Sequence, residues 1–205
     1  MNLMTGSGVY SSDGIAFVDE RCAGVALTAR PPVAHSREKR GRSSRMRRVL
    51  FVCTGNTCRS PIAAGIFNNL LREKHIRNVV AESAGTMAMD GMSVSPLAAI
   101  IAGRHGVNVR RHRARALTKE LVDRADLVLT MTGQQWYEVT EFAPREKVAI
   151  LSKFGTPGKA GRDISDPHGG TQETYEEIFD QLHTEIDRSF PMVLEWLSKN
   201  GGRAG

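Results

Sequence analysis

A short apolar run that leads directly into a glycine-containing loop and a helix constrains this chain more than any other feature. Residues 49–52 (Val-Leu-Phe-Val) predict a buried strand, and residues 53–60 (Cys-Thr-Gly-Asn-Thr-Cys-Arg-Ser) follow it directly. Ser60 and Pro61 suit the N-cap and the first position of a helix. A strand, a tight loop and a helix in this order point backbone N–H groups and the positive end of a helix dipole at one place. The sequence therefore predicts an anion site there.

The rest of the chain repeats the alternation of strands and helices. We expect strands at 47–52, 79–83, 126–131 and 147–151, and helices at 61–75, 97–105, 119–124, 134–142 and from 171 onward. Pro191 should kink or split the last helix. The fully apolar runs at Val49 and Leu127 indicate a parallel sheet that is covered on both faces. We therefore predict an α/β fold with one domain over residues 46–200, built on a four-stranded parallel sheet with helices on both faces.

Residues 1–45 lack sustained periodicity and are rich in Gly, Ser, Arg and Pro, so we predict a disordered basic extension. The basic run at 37–48 is either a solvated tail or a nucleic-acid contact. The chain carries a net charge of +6, half of it in residues 1–45, so the domain itself is only mildly basic and no nucleic-acid partner is predicted.

No apolar run approaches the roughly 18 residues of a membrane span. The three cysteines do not resemble a secreted disulfide framework, which favours a cytoplasmic protein.

The loop carries residue types that suit phosphoryl transfer. Gly55 and Asn56 tolerate a left-handed turn, so that successive amides curl around a phosphate, and Arg59 offers a planar fork for two of its oxygens. These groups should lower the pKa of Cys53 and make it a nucleophile, while the hydroxyl of Ser60 donates a hydrogen bond to the thiolate. This predicts a phosphocysteine intermediate. The predicted catalytic residues in the loop are Cys53 and Arg59, and the predicted phosphate- and substrate-binding residues are Thr54, Gly55, Asn56, Thr57, Cys58 and Ser60.

Other interpretations of the loop account for fewer of its residues. Cys53 and Cys58 could be core thiols beside an ordinary turn. However, Arg59, Ser60, the strand before the loop and the helix after it all occur at the positions that a phosphate-binding loop requires. A zinc site would need about four ligands at suitable spacing, and Gly-x4-Gly-Lys-Ser/Thr for nucleotide binding is absent. We expect no metal and no cofactor. Cys58 could form a disulfide with Cys53 under oxidation, or serve only as a packing thiol.

A nucleophilic thiolate needs an acid to protonate the leaving group, and Asp166 is the candidate. It lies in a long polar loop beside Pro167 and before Gly169-Gly170, with Asp163 as a nearby rival. On spacing alone, an ordinary Asp-Pro turn explains Asp166 equally well. Met87, Met89 and Met92, in another loop, could line a substrate pocket or cap the core.

Residues 52–61 closely resemble the signature loop of the low-molecular-weight protein tyrosine phosphatase family. The resemblance covers roughly residues 47–197 and includes Glu82-Ser-Ala-Gly-Thr86, residues 125–132 and Asp163-Ile-Ser-Asp-Pro-His-Gly-Gly170. It implies that Asp166 is the catalytic acid and that phosphorylated proteins are the substrates. The oligomeric state is left open.

One position makes the chain most similar to the protein-arginine phosphatase branch, because Thr57 stands where tyrosine-specific members usually carry isoleucine. His168 stands where they usually carry an aromatic residue, which weakens the similarity to those members; it could touch the substrate or only face solvent. The resemblance therefore implies phosphoarginine as the substrate, with a tyrosine phosphatase as the first alternative. Arsenate reduction would need further cysteines, and none follows Cys58. A non-catalytic phosphoprotein-binding or redox-sensing module would predict loss of Cys53, Arg59 or Asp166, and all three are present.

Overall fold

The computed structural model describes residues 45–156 and 161–200, and these contain a four-stranded parallel sheet. The strands are β1 (Arg47–Cys53), β2 (Val79–Gly85), β3 (Leu127–Thr130) and β4 (Val148–Ile150), in the spatial order β2-β1-β3-β4. The helices are α1 (Arg59–Glu73), α2 (Pro96–Arg104), α3 (Lys119–Arg124), α4 (Gly133–Thr140) and α5 (Gln172–Asn200). The predicted fold class is confirmed.

Alternate residues of the central strand β1 pack on opposite faces of the sheet. Val49 and Phe51 belong to the larger apolar core, which α1, α2 and α5 cover. Leu50 and Val52 belong to a smaller core, to which α3 contributes Val122. Because both faces are covered, β1 is buried from Val49 to its end, which is why its sequence is continuously apolar.

Two helices differ from the sequence-based prediction, α1 in its first residue and α5 in its continuity. Helix α1 begins at Arg59 with Cys58 as its N-cap residue, so Ser60 lies inside the first turn and does not cap it. Helix α5 continues through Pro191 as a single helix of 29 residues, so it is not split there. Phe190 and Val193 are buried on either side of Pro191, which is itself exposed. Packing of these neighbours holds the helix together, so the hydrogen bond that proline cannot donate is lost without dividing the helix.

The predicted caps of two other helices are confirmed. The Ser95 side chain accepts a hydrogen bond from the Ala98 amide at α2, and the Thr118 side chain accepts one from the Leu121 amide at α3. Residues 1–44, which include most of the predicted extension, lie outside the described residues. Within the described ranges, no helix is both long enough and apolar enough to cross a membrane.

Candidate active site

Cys53 ends β1 at the carboxyl edge of the sheet, beneath a cavity of about 300 Å³. Its side chain is 2% exposed. The Sγ atom lies 3.0 Å from the Ser60 hydroxyl and accepts a hydrogen bond of 3.3 Å from the Asn56 amide. Residues 54–58 form the loop that connects β1 to α1 next to the sulfur, as the strand–loop–helix pattern predicts.

Burial raises the pKa of the Cys53 thiol above its ordinary value, which is opposite to the predicted direction. The hydrogen bonds from Ser60 and Asn56 and the positive charge of Arg59 all act to lower it. They do not outweigh the loss of hydration around the sulfur, because the side chain lies almost entirely below the surface. The contacts of Ser60 and Asn56 are thus the means by which the fold stabilises the thiolate that nucleophilic chemistry requires.

Asn56 shapes the loop from below. It adopts a left-handed conformation with φ of 53°, whereas Gly55 does not, so only one of the two predicted residues makes this turn. The Asn56 side-chain amide donates to the hydroxyls of Ser60 at 2.8 Å and Ser83 at 3.0 Å. Its oxygen accepts from the Arg115 amide at 3.0 Å. Every polar atom of this fully buried side chain is therefore bound, and the turn is rigidly defined.

Several supporting residues were missed by the sequence analysis. Besides Ser83 and Arg115, the His112 ring lies 2.9 Å from the Asn56 carbonyl oxygen, and burial lowers the pKa of His112, so its neutral Nε2–H donates. The Gln135 side chain donates to the Thr54 hydroxyl at 3.1 Å. These residues come from segments that are 27 to 81 positions away in the chain, and no local pattern marks them.

Gly85 explains why β2 can approach the loop so closely. A Cβ atom at this position would lie 2.4 Å from the Thr54 carbonyl oxygen and 2.9 Å from the Asn56 nitrogen. Since both neighbours are backbone atoms, no side-chain movement could relieve the clash. Glycine is therefore required where the end of β2 meets the loop.

Arg59 and Asp166 both line the cavity and contact each other there. The Arg59 guanidinium donates to the Ile164 carbonyl at 3.0 Å and forms a close ion pair with Asp166. Its Nε–H is buried, and no residue in the described part of the chain accepts a hydrogen bond from it. A buried N–H donor without an acceptor costs free energy, so this group favours binding of a charged acceptor. An oxyanion placed next to the Cys53 sulfur would be such an acceptor.

The structure separates Asp166 from its rival Asp163. Both carboxylate oxygens of Asp163 accept from the Gly133 amide at 3.1 Å, at the start of α4, whereas Asp166 lines the cavity. The Asp166 side chain is 47% exposed and its other oxygen accepts from the His168 amide at 3.2 Å. The geometry favours Asp166 as the group that can reach a leaving group.

The predicted binding residues divide into two layers. One layer lines the cavity, and the other lies beneath it and supports the sulfur. The cavity is lined by Cys53, Thr54, Gly55, Thr57, Cys58, Arg59, Met87, Met89, Met92, Asp166 and His168. Asn56 and Ser60 belong to the supporting layer. Cys58 is a free thiol, and its sulfur lies 3.4 Å from the Ser95 hydroxyl and 3.6 Å from the Tyr175 hydroxyl.

Comparison with known proteins agrees with this arrangement. The family model for low molecular weight phosphotyrosine protein phosphatases matches residues 48–200. A protein-arginine-phosphatase from Geobacillus stearothermophilus is 41% identical over 145 residues, which cover 69% of this chain and 92% of the relative. The low molecular weight protein-tyrosine-phosphatase PtpB of Staphylococcus haemolyticus is 38% identical over 136 residues, covering 66% and 91%.

Among solved structures, the YwlE arginine phosphatase from Geobacillus stearothermophilus superposes with a TM-score of 0.66 at 36% sequence identity. The match covers 75% of this chain and 96% of that chain.

Proposed function

Because this chain belongs to the low molecular weight phosphotyrosine protein phosphatase family, we propose that it hydrolyses phosphoarginine on proteins through a phosphocysteine intermediate. Membership makes the chain a cysteine-dependent protein phosphatase. The finer assignment, to phosphoarginine as the substrate, is supported by the residues that line the cavity. A reducing compartment suits an enzyme with free thiols at Cys53 and Cys58, so we propose a cytoplasmic location.

In the proposed mechanism, the Cys53 thiolate attacks phosphorus. The phosphoryl oxygens accept hydrogen bonds from the loop amides and from the Nε–H of Arg59. The S–P bond forms, the P–N bond breaks, and Asp166 gives its proton to the leaving nitrogen. Water then attacks phosphorus and gives a proton to Asp166. The S–P bond breaks, the electron pair returns to sulfur, and the Ser60 hydroxyl 3.0 Å away stabilises the departing thiolate.

The observation that carries the phosphoarginine assignment is the composition of the cavity wall. Among the described residues that line it, no Phe, Tyr or Trp appears, and the only ring is the imidazole of His168. A phenyl ring would therefore find no aromatic face, while the Thr57 hydroxyl and the Asp166 carboxylate offer polar partners for a guanidino group. The similarity to a protein-arginine-phosphatase supports the same assignment.

The proposal is tested by comparing kcat/KM on a phosphoarginine peptide and a phosphotyrosine peptide of the same sequence. We expect the wild-type enzyme to prefer phosphoarginine. Thr57→Ile removes the hydroxyl and leaves an apolar wall, so it should shift the ratio toward phosphotyrosine by at least about tenfold.

Thr54→Ile is the matched control, since Thr54 lines the same cavity but its hydroxyl is bound by Gln135. The Thr54→Ile variant should change kcat/KM on both peptides without reversing the preference for phosphoarginine over phosphotyrosine. A wild-type enzyme that already prefers phosphotyrosine would refute the phosphoarginine assignment and leave the phosphatase assignment standing.

A further inference from the structure

Three exposed methionines form a rim around the mouth of the catalytic cavity. Met87, Met89 and Met92 expose 75%, 72% and 51% of their surface, and all three line the cavity above Cys53. We call these three residues the methionine rim. Large apolar side chains that cluster in the open on a folded protein mark a surface that contacts a partner.

The main chain of the methionine rim is fixed although its side chains are free. The Met87 amide donates to the Thr54 carbonyl at 2.9 Å, which ties the rim directly to the catalytic loop. On the other side, the Ala114 amide donates to the Met92 carbonyl at 2.8 Å, and the Gly91 amide donates to the Ala114 carbonyl at 2.8 Å. The main chain that carries the three side chains is therefore held at a constant place relative to the nucleophile, while the side chains themselves stay out of the core.

The position of the methionine rim determines which part of a substrate can reach it. The floor and side of the cavity are polar, with Arg59, Thr57 and Asp166, and suit the phosphorylated side chain itself. The substrate's neighbouring residues must then pass over the mouth, because an extended chain advances only about 3.3 Å per residue. Thioether side chains provide flexible apolar contact and almost no hydrogen bonding.

We propose that the methionine rim binds large apolar side chains lying within about two residues of the phosphorylated residue in a protein substrate. The proposal rests on the proposed function, since a phosphorylated residue must occupy the cavity. Methionine adapts its shape to leucine, isoleucine, valine or phenylalanine, so the rim selects an apolar flank and not one particular sequence. It makes the enzyme selective among sites on phosphoproteins.

The test uses the full-length enzyme and two phosphopeptides that differ only in their flanks, leucine in one and serine in the other. The measured quantity is the ratio of kcat/KM for the leucine peptide to that for the serine peptide. Partial burial of a leucine side chain should give a wild-type ratio of about five to ten. The triple variant Met87→Gln/Met89→Gln/Met92→Gln should lower this ratio to about one.

Two control variants separate apolar contact from general damage. Replacing the same three methionines by leucine keeps an apolar surface and should keep most of the ratio. Tyr137→Gln changes an exposed apolar side chain on α4, outside the cavity lining, and should leave the ratio unchanged. If the triple glutamine variant is too weak to assay, the single Met89→Gln variant should still lower the ratio measurably.

A wild-type ratio near one, or a ratio that survives the triple glutamine variant, would overturn the proposal. Both peptides are made in phosphoarginine and phosphotyrosine forms. If only the phosphotyrosine forms are hydrolysed, the phosphoarginine assignment fails, while the leucine-to-serine ratio on those peptides still decides whether the methionine rim binds apolar flanks.

Discussion

Ser60 occupies a decisive place among the buried groups around the nucleophile. Its oxygen accepts a hydrogen bond from the Asn56 side chain at 2.8 Å, and its one proton can go to the Ala84 carbonyl at 3.3 Å or to the Cys53 sulfur at 3.0 Å. When the sulfur is ionised, the nearer and charged acceptor is favoured. Ser60 is thus a hydrogen-bond donor that the fold holds ready for the thiolate.

Ser60→Ala should make Cys53 harder to ionise. The Ser60 hydrogen bond lowers the pKa of the Cys53 thiol, so its loss raises that pKa further, and less thiolate is present at any pH below it. A hydrogen bond to a charged group is worth roughly 1.5 kcal/mol or more, so alkylation of Cys53 at neutral pH should slow by about tenfold. The measurement is the rate of iodoacetamide alkylation as a function of pH.

The control is Ser83→Ala. Ser83 is also buried and accepts from Asn56 at 3.0 Å, and it has no described hydrogen bond to the sulfur. Its alkylation profile should remain close to that of the wild type. Equal shifts in the two variants would mean that Ser60 acts only by positioning Asn56.

Asp166 plays two parts that compete with each other. In the free enzyme its carboxylate forms an ion pair with Arg59, which is also the residue expected to hold the phosphoryl oxygens. A phosphate that enters the cavity must share the guanidinium with this carboxylate. When the phosphoryl group takes over the guanidinium, the Asp166 carboxylate loses its ion pair and can take up from water the proton that it later gives to the leaving nitrogen.

Asp166→Asn should strengthen phosphate binding while it weakens catalysis. Removing a competing ion pair that is partly exposed should lower the inhibition constant of inorganic phosphate by up to about fivefold. Losing the general acid should lower kcat by about a hundredfold or more on substrates with poor leaving groups, and by less on para-nitrophenyl phosphate.

Asp163→Asn provides the comparison, because Asp163 binds the Gly133 amide and has no described contact with Arg59. It should leave phosphate inhibition unchanged. An unaltered inhibition constant in Asp166→Asn, or equal loss of kcat on good and poor leaving groups, would contradict the assigned role.

At the scale of elements, α5 shows how tertiary packing overrides a local signal. Proline lacks an amide proton and disfavours a helix interior, yet α5 runs from Gln172 to Asn200 without interruption. The Phe190 ring packs 4.9 Å from that of Phe67 on α1, and Val193 is fully buried one turn later. The helix is stabilised by this apolar face, so the defect at Pro191 is tolerated on the opposite side.

Pro191→Ala should stabilise the protein, because alanine restores the missing amide and a good helix former at an exposed position. Proline costs about 3 kcal/mol relative to alanine in a helix interior, so we expect the free energy of unfolding to rise by about 1–3 kcal/mol. Urea denaturation measures this change. Thr184→Ala, at an exposed position on the same helix, should raise it by less than about 1 kcal/mol.

An unchanged or lower stability in Pro191→Ala would show that the packing of Phe190 and Val193 depends on a helix shape that the proline imposes.

At the scale of the whole molecule, the sheet and its helices could be predicted because their signals are local. The continuous apolar run of β1 required cover on both faces, and the alternation of strands with amphipathic segments required parallel connections. The helix caps at Ser95 and Thr118 also lie next to the amides that they bind. Where the determining contact was distant, as for Pro191, the local rule failed.

The candidate site divides in the same way. The spacing of Cys53 and Arg59 and the strand before them could be read along the chain, and the structure places both at one cavity. The rise in the pKa of Cys53 could not be predicted from the sequence, because it depends on how deeply the finished fold buries the sulfur. Ser83, His112, Arg115 and Gln135 reach the loop only through the fold, so nothing near them in sequence indicates their contacts.

The left-handed turn at Asn56 has a consequence for the order in which the protein can fold. Its partners Ser83 and Arg115 lie 27 and 59 residues further along the chain, so the turn is held by contacts of high sequence separation. Such contacts form only after the intervening chain has closed, which makes them late and slow events. A peptide of residues 47–73 would contain every residue of the signature loop without those partners. The nucleophile's environment is therefore complete only when α1, β2 and the segment before α3 have come together.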